Sequence, residues 1–399
     1  MAEVLFLYYS TRLFLKTPIA ITGIASLSAL GETKAAHELA YNNDQSAIVW
    51  DKTLSAFTAP LTQKAKQEID KLAAQNGHYK RLDPAVLYGI YCGRLAIAEA
   101  GWRDGQFGIN VGSSRGATQH FEQYHAHFIE NAYAPTLSSP HTTLGNISSW
   151  LAHDLKSEGP DISHSITCST ALHAVLNGVA WLASGMVTRF LVGGTEAALT
   201  PFTIAQMKAM KLTPNQQTNS NYPCQTLTNG KAQNTMVLGE GAAMICLEAK
   251  ITNTALAYIK GLGYATEVLQ HSVSLSAEGD CFQKAMTAAL AMAQLTKVDA
   301  IVMHAPGTIK GDASELAAIK AIFGGDMPFL TSNKWKLGHT FGASGGLSLA
   351  MAIHMLQSQQ AITIPFIKAQ PMPKQLDTVM VNAVGFGGNA VSVIISRTP

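Results

Sequence analysis

The chain has 399 residues, with 28 Lys and Arg against 26 Asp and Glu, and its formal net charge of +2 carries no electrostatic footprint for nucleic acid. Hydrophobic residues make up 47% and charged residues 14%, a globular composition so poor in surface charge that part of the surface is expected to be buried against another subunit. Five scattered cysteines without CxxC spacing (Cys92, Cys168, Cys224, Cys246 and Cys281) exclude a disulfide framework and a zinc site, and fit a reducing cytoplasm.

Residues 1–17 contain apolar runs too short to span a bilayer and no small-residue cleavage site, so they read as an extension packed on the body or on a partner. Pro18–Ala25 then reads as a buried strand, Leu87–Ala98 as a buried helix and Phe107–Ser114 as a second strand. A helix from Ala171 to Gly185 leads into strand Arg189–Gly194, and strand Ala242–Glu248 closes the first half. The theme repeats with strand Ala257–Tyr264, a helix from about Cys281 to Leu295, strand Ala300–Met303 and a helix around Glu315–Phe323. A small-residue helix from Gly342 to about Leu356 and strand Val391–Ile395 complete it. Alternating strands and helices predict an α/β fold with largely parallel sheets covered on both faces. The matching order of elements predicts a duplication, with halves 18–250 and 251–399. The polar segment Thr213–Lys231 reads as the longest loop.

Chemistry concentrates at element ends. Cys168 precedes a helical run, where the positive end of the helix dipole favours thiolate and free backbone N–H groups face whatever the sulfur attacks. Alone, it reads as a small apolar core residue. His304 follows a strand end in His304-Ala305-Pro306-Gly307-Thr308, with Asp312 and Glu315 downstream. Lys334 and His339 precede the small-residue helix, and Gly385-Phe386-Gly387-Gly388 brings backbone close to a ligand. A thiol, two imidazoles and a Lys suit nucleophilic acyl transfer; metal binding would expect a carboxylate or second thiolate at regular spacing, and none stands out.

From residue 18 to the end, these motifs resemble those of the β-ketoacyl-acyl carrier protein synthases, the condensing enzymes of type II fatty acid and polyketide synthesis. The resemblance rests on Thr167-Cys168-Ser169, Gly193-Gly194-Thr195-Glu196, Leu238-Gly239-Glu240-Gly241, His304…Gly307-Thr308…Asp312…Glu315, Lys334…Gly338-His339 and Gly385-Phe386-Gly387-Gly388. It implies a thiolase fold: duplicated α-β-α-β-α layers with two mixed five-stranded sheets. Cys168 would take the acyl chain as a thioester. His304 and His339 would hold the malonyl thioester and promote decarboxylation, and Lys334 would orient the His304 site. The N–H groups of Cys168 and Phe386 would form the oxyanion hole, with Phe386 as gate and Thr308, Asp312, Glu315, Gly385 and Gly387 in support. No resident cofactor is implied, because 4′-phosphopantetheine arrives on an acyl carrier protein. Lys64, Lys66, Lys208 and Lys211 lie near where the family presents basic docking groups. The assembly would be a homodimer or a heterodimer with a chain-length-factor homologue.

Within the family, Gly112-Ser113-Ser114-Arg115-Gly116-Ala117-Thr118 and Asn234-Thr235-Met236 look most like ketosynthases of bacterial aryl polyene pathways. The alternatives are a housekeeping fatty acid elongation enzyme and a non-catalytic chain-length factor; the full Cys168, His304, Lys334 and His339 set opposes the latter. A degradative thiolase would need a second Cys in the last glycine motif, and Cys-His-Asn enzymes would lack His339. Three departures stand out: Ser348 where the family often has Glu, a Pro in the first His motif, and Asn234-Thr235-Met236 in place of Asp-Gly-Phe.

Overall fold

Strand β1 (Ile19–Leu27) is buried along its whole length and runs through the middle of the main sheet in the computed structural model, which describes residues 17–214, 220–268 and 275–399. The extension expected over residues 1–17 lies, but for Thr17, outside the described residues. The remaining strands are β2 (Val49–Asp51), β3 (Ala56–Ala59), β4 (Gly108–Gly112), β5 (Asp161–Ile162), β6 (Arg189–Glu196), β7 (Leu238–Gly239) and β8 (Gly241–Glu248). They continue as β9 (Ala257–Thr266), β10 (Ala300–Val302), β11 (Phe329–Thr331), β12 (Thr378–Gly385) and β13 (Asn389–Ser396).

The main sheet is 10-stranded, in the order β11-β10-β12-β13-β9-β1-β8-β6-β4-β5. Its two ends repeat one plan. From β1 outward, β8 and β6 join antiparallel, then β4 and β5 parallel. From β9 outward, β13 and β12 join antiparallel, then β10 and β11 parallel. The five-stranded groups expected from sequence meet where Ile19–Ile21 pair with Ala257–Ile259, which fuses them into one ladder. Nothing in the side-chain pattern announces that pairing, because both strands are already buried on both faces. A second, 3-stranded sheet of β2, β3 and β7 was not expected; its short strands lack a long apolar run.

Side chains alternate between two faces, as strand geometry requires. In β8, Ala243, Ile245 and Leu247 face a central core, whereas Ala242, Met244 and Cys246 face an outer one. In β12, Val379, Val381 and Ala383 face the same central core, and Met380 and Val384 face a third. Helices Thr170–Ala183 and Ser344–Ser358 fill the central layer through Leu172, Val175, Leu347 and Met351. Helix Pro84–Ala100 covers one outer face, started by the Asp83 side chain accepting from Ala85 N and by Pro84 in its first turn. Helices Asp280–Ala293 and Ile309–Phe323 cover the other. The layers therefore alternate helix, sheet, helix, sheet, helix. The carboxyl ends of the parallel strands, where α/β proteins place their sites, open onto the starts of the two central helices.

Candidate active site

The run after β5 turns sharply into helix Thr170–Ala183, and Cys168 sits in that turn. Thr167 takes a left-handed φ of 45°. Thr170 Oγ1 locks the turn by accepting from Ile166 N (2.9 Å) and donating to Thr167 O (2.6 Å). The turn between β12 and β13 presses against it. A Cβ at Gly385 would lie 1.9 Å from Thr167 Oγ1 and 2.8 Å from Ile166 O, so only glycine fits. Phe386 follows, partly exposed, and Gly387 has φ 101°. The glycine motif and the thiol turn are thus neighbours.

His304 follows β10. Its N–H and that of Ala305 donate to the two oxygens of Glu315 at 3.0 and 2.9 Å, while Asn382 Nδ2 donates to Glu315 Oε1. Asp312 accepts from Gly307 N (3.0 Å) and Leu227 N (3.1 Å) and pairs with buried Lys231. Thr308 caps helix Ile309–Phe323 by accepting from Gly311 N. Of the expected supports, Glu315 and Asp312 therefore hold the His304 loop and Thr308 starts the next helix.

His339 enters from the other side: its N–H donates to Val237 O (2.7 Å), and its carbonyl accepts from Gly239 N (3.0 Å). The His304 and His339 rings lie 5.2 Å apart, edge to face at 87°. Both rings are buried, and each Nδ1 has no partner. Burial, with the Lys334 charge nearby, holds His339 down at about 3, and burial with His339 and Lys334 holds His304 well below its usual value. Both imidazoles are neutral at physiological pH.

Lys334 is 1% exposed, and its ammonium donates to Asn333 Oδ1 (3.0 Å) and Ser348 Oγ (3.1 Å). Both partners are neutral, an amide oxygen and a hydroxyl. Burial pulls this Lys down to about 8, against the attraction of Glu315 and other acidic groups.

Burial also reverses one expectation. The helix start was expected to favour thiolate at Cys168, yet the thiol is pushed up to about 12 by burial and by the Glu196 charge, against the pull of Lys334 and Arg115. The resting sulfur holds its proton. Apolar neighbours Ala198, Ile204, Met207, Met236 and Phe341 make that environment.

Sequence reasoning missed Glu196 as a clamp. Its Oε1 accepts from Ser113 Oγ (2.8 Å) and Arg115 N (3.2 Å), and its Oε2 from Ser114 N (2.8 Å) and Gly342 N (2.9 Å). Burial pushes it up to about 7 despite those donors. It ties the turn after β4 to the segment that leads into helix Ser344–Ser358, and the signal was a lone acid at the end of an apolar strand. The expected docking lysines lie elsewhere. Lys64 pairs with Glu32, and Lys66 and Lys211 are exposed. Lys208 is half-buried and donates to the Leu54 and Ser55 carbonyls at 3.0 Å each.

Comparison with known proteins gives the same picture. The profile "Beta-ketoacyl synthase, N-terminal domain" matches residues 16–252, and "Beta-ketoacyl synthase, C-terminal domain" matches 256–366. The 3-oxoacyl-[acyl-carrier-protein] synthase 2 of Vibrio harveyi is 24% identical, over 96% of this chain and 99% of that protein. A type II polyketide synthase acyl-carrier protein in complex with its ketosynthase superposes with TM-score 0.83 at 16% identity, over 95% of this chain and 99% of that one. A ketosynthase in complex with its chain length factor from Xenorhabdus doucetiae gives 0.77 at 21% identity, over 95% and 98%.

Proposed function

The chain belongs to the beta-ketoacyl synthase family, and we propose that it condenses an acyl chain held on Cys168 with a malonyl group borne by an acyl carrier protein. The observation that carries this reading is that Cys168 packs in one cluster with Phe341, whose ring lies 5.3 Å from the His339 ring, itself 5.2 Å from the His304 ring, while the buried Lys334 ammonium is near enough to draw the thiol down.

In the loading half-reaction, the Cys168 sulfur forms a bond to the acyl carbonyl carbon and the bond to the pantetheine sulfur breaks. The proton leaves Cys168 through a neutral imidazole and ends on the departing thiolate. The N–H groups of Cys168 and Phe386 receive the developing oxyanion. In the second half-reaction, the bond from malonyl C2 to its carboxylate breaks and carbon dioxide leaves. The electron pair forms an enolate, which neutral His304 and His339 stabilise as hydrogen-bond donors. C2 then bonds to the acyl carbonyl carbon, the bond to the Cys168 sulfur breaks, and the sulfur takes up one proton from solvent. The products are a 3-oxoacyl carrier protein and carbon dioxide. Decarboxylation generates the nucleophile without a strong base, which suits imidazoles held neutral.

Burial keeps the imidazoles unprotonated, and Lys334 places beside them a positive charge that steadies the developing enolate. The Ser-Ser-Arg turn after β4 supports chain elongation of the aryl polyene type, and the Cys-containing chain would be the catalytic member of any pair with a chain-length factor. Five free, buried cysteines support a cytoplasmic location, and no helix among the described residues is long and apolar enough to cross a membrane. The test supplies acyl carrier protein and malonyl carrier protein together. Equal yields of 3-oxoacyl product and carbon dioxide are expected from wild type and no 3-oxoacyl product from Cys168→Ala; carbon dioxide without a carbon–carbon bond from wild type would overturn the condensing role.

A further inference from the structure

Arg115 places a guanidinium beside the apolar residues that pack with Cys168. It lies in the turn after β4, whose backbone Glu196 holds: Ser114 N and Arg115 N both donate to that carboxylate. The side chain is free of that clamp. Its Nη2 donates to Gln206 Oε1 on helix Pro201–Ala209, and its guanidinium carbon stands 6.0 Å from the centre of the Phe341 ring. Phe341 packs with Cys168 and with Ile204 and Met207 of that same helix, and its ring lies 5.3 Å from the His339 ring. The Arg115 charge is near enough to Cys168 to pull its thiol down. Arg115 Nε is buried and has no hydrogen-bond partner.

A guanidinium has five N–H donors and a flat face. Here one donor is met by Gln206, one is buried unmet, and the cation stands over an aromatic ring. A saturated alkyl chain leaving Cys168 through these residues would take more water from the cation and return nothing. A flat, conjugated chain offers a π face that attracts a cation and extends the stack that Phe341 begins. Resting on the condensing reading above, we propose that Arg115 is a specificity-determining residue that selects acyl chains with a conjugated π system over saturated chains of the same length. Gln206 sets the plane of the guanidinium, and Phe341 forms the opposite wall.

The test measures acylation of Cys168 from three carrier-protein thioesters of one length: octanoyl, octa-2,4,6-trienoyl and 3-hydroxyoctanoyl. Acetyl carrier protein reports the thiol itself. Wild type is expected to favour the trienoyl donor over octanoyl by about tenfold or more in kcat/KM, the scale of a desolvated cation–π contact. Arg115→Leu should bring that ratio near one, with octanoyl transfer rising relative to acetyl transfer, which itself falls because the charge that draws the thiol down is lost. Arg115→Lys keeps the charge and loses the flat fork, so selectivity should fall while acetyl transfer holds. A proportional drop with all donors in Arg115→Leu would make Arg115 an activator of the thiol and overturn the proposal. A wild-type preference for 3-hydroxyoctanoyl would overturn it too, in favour of an oxygen acceptor. Transfer from no donor to wild type would instead sink the condensing reading, whatever Arg115 does.

Discussion

The Lys334 ammonium donates to the Ser348 hydroxyl at 3.1 Å, so the buried cation of the site rests on a neutral partner. A buried ammonium without a carboxylate is costly to keep charged, which is why burial draws Lys334 down to about 8.

Condensation should therefore weaken on the alkaline side as Lys334 loses its proton near that value. Ser348→Glu supplies a carboxylate, favours the charged form and should move the alkaline limb of the kcat profile up by about one pH unit or more. Ser348→Ala leaves only Asn333 and should move it down. A limb that stays in place in both variants would show that another group controls it.

Stability should fall with acid through the buried imidazoles. His339 is held at about 3 by burial and Lys334, against 6.5 when free. Below pH 6.5 the unfolded chain binds a proton that the folded ring refuses, so stability is lost from there down toward pH 3. The slope from this ring is up to about 1.4 kcal/mol per pH unit. Glu196 and Glu315, raised to about 7, act in the opposite sense, stabilising at low pH and losing that contribution as pH rises through 7. The difference in unfolding free energy between wild type and His339→Gln isolates the ring. Equal slopes for both would contradict a neutral, buried His339.

Gly385→Ala should displace the thiol turn, because the new Cβ meets Thr167 Oγ1 at 1.9 Å and Ile166 O at 2.8 Å. Overpacking of this kind costs about 1–3 kcal/mol. Acylation of Cys168 should fall by about tenfold or more, and adding Thr167→Ala should recover part of the loss. Full activity in Gly385→Ala would mean the two turns are not in contact.

Lys66 and Lys211 are exposed, whereas the Lys208 ammonium is held by two carbonyls. Reversing Lys66 or Lys211 to Glu should raise KM for carrier-borne substrates at low salt and leave small-molecule thioesters unaffected. Unchanged carrier kinetics would remove both from the docking surface.

Cys168, His304, Lys334 and His339 were legible in sequence because each sits at an element end in a motif whose residue types the chemistry restricts. The two sheet groups were legible because buried strands carry long apolar runs. Other features hid in long-range geometry. Arg115 meets Gln206 across 91 positions, and Ser348 reaches Lys334 from one helical turn inside a different element. Strand β12 was passed over because its Asn382 interrupts the apolar run; the fold satisfies that amide with Glu315 and Ser392. The thiol environment was misread because helix-start electrostatics show locally in sequence, whereas the burial that outweighs them depends on distant Ile204, Met207 and Phe341.

The central claim is that Cys168 carries the acyl chain. Intact mass of the protein after incubation with an acyl carrier protein thioester tests it most directly. Wild type should gain the mass of one acyl group less one hydrogen, and Cys168→Ala should gain nothing. No gain by wild type from any carrier donor, or an equal gain by Cys168→Ala, would contradict it.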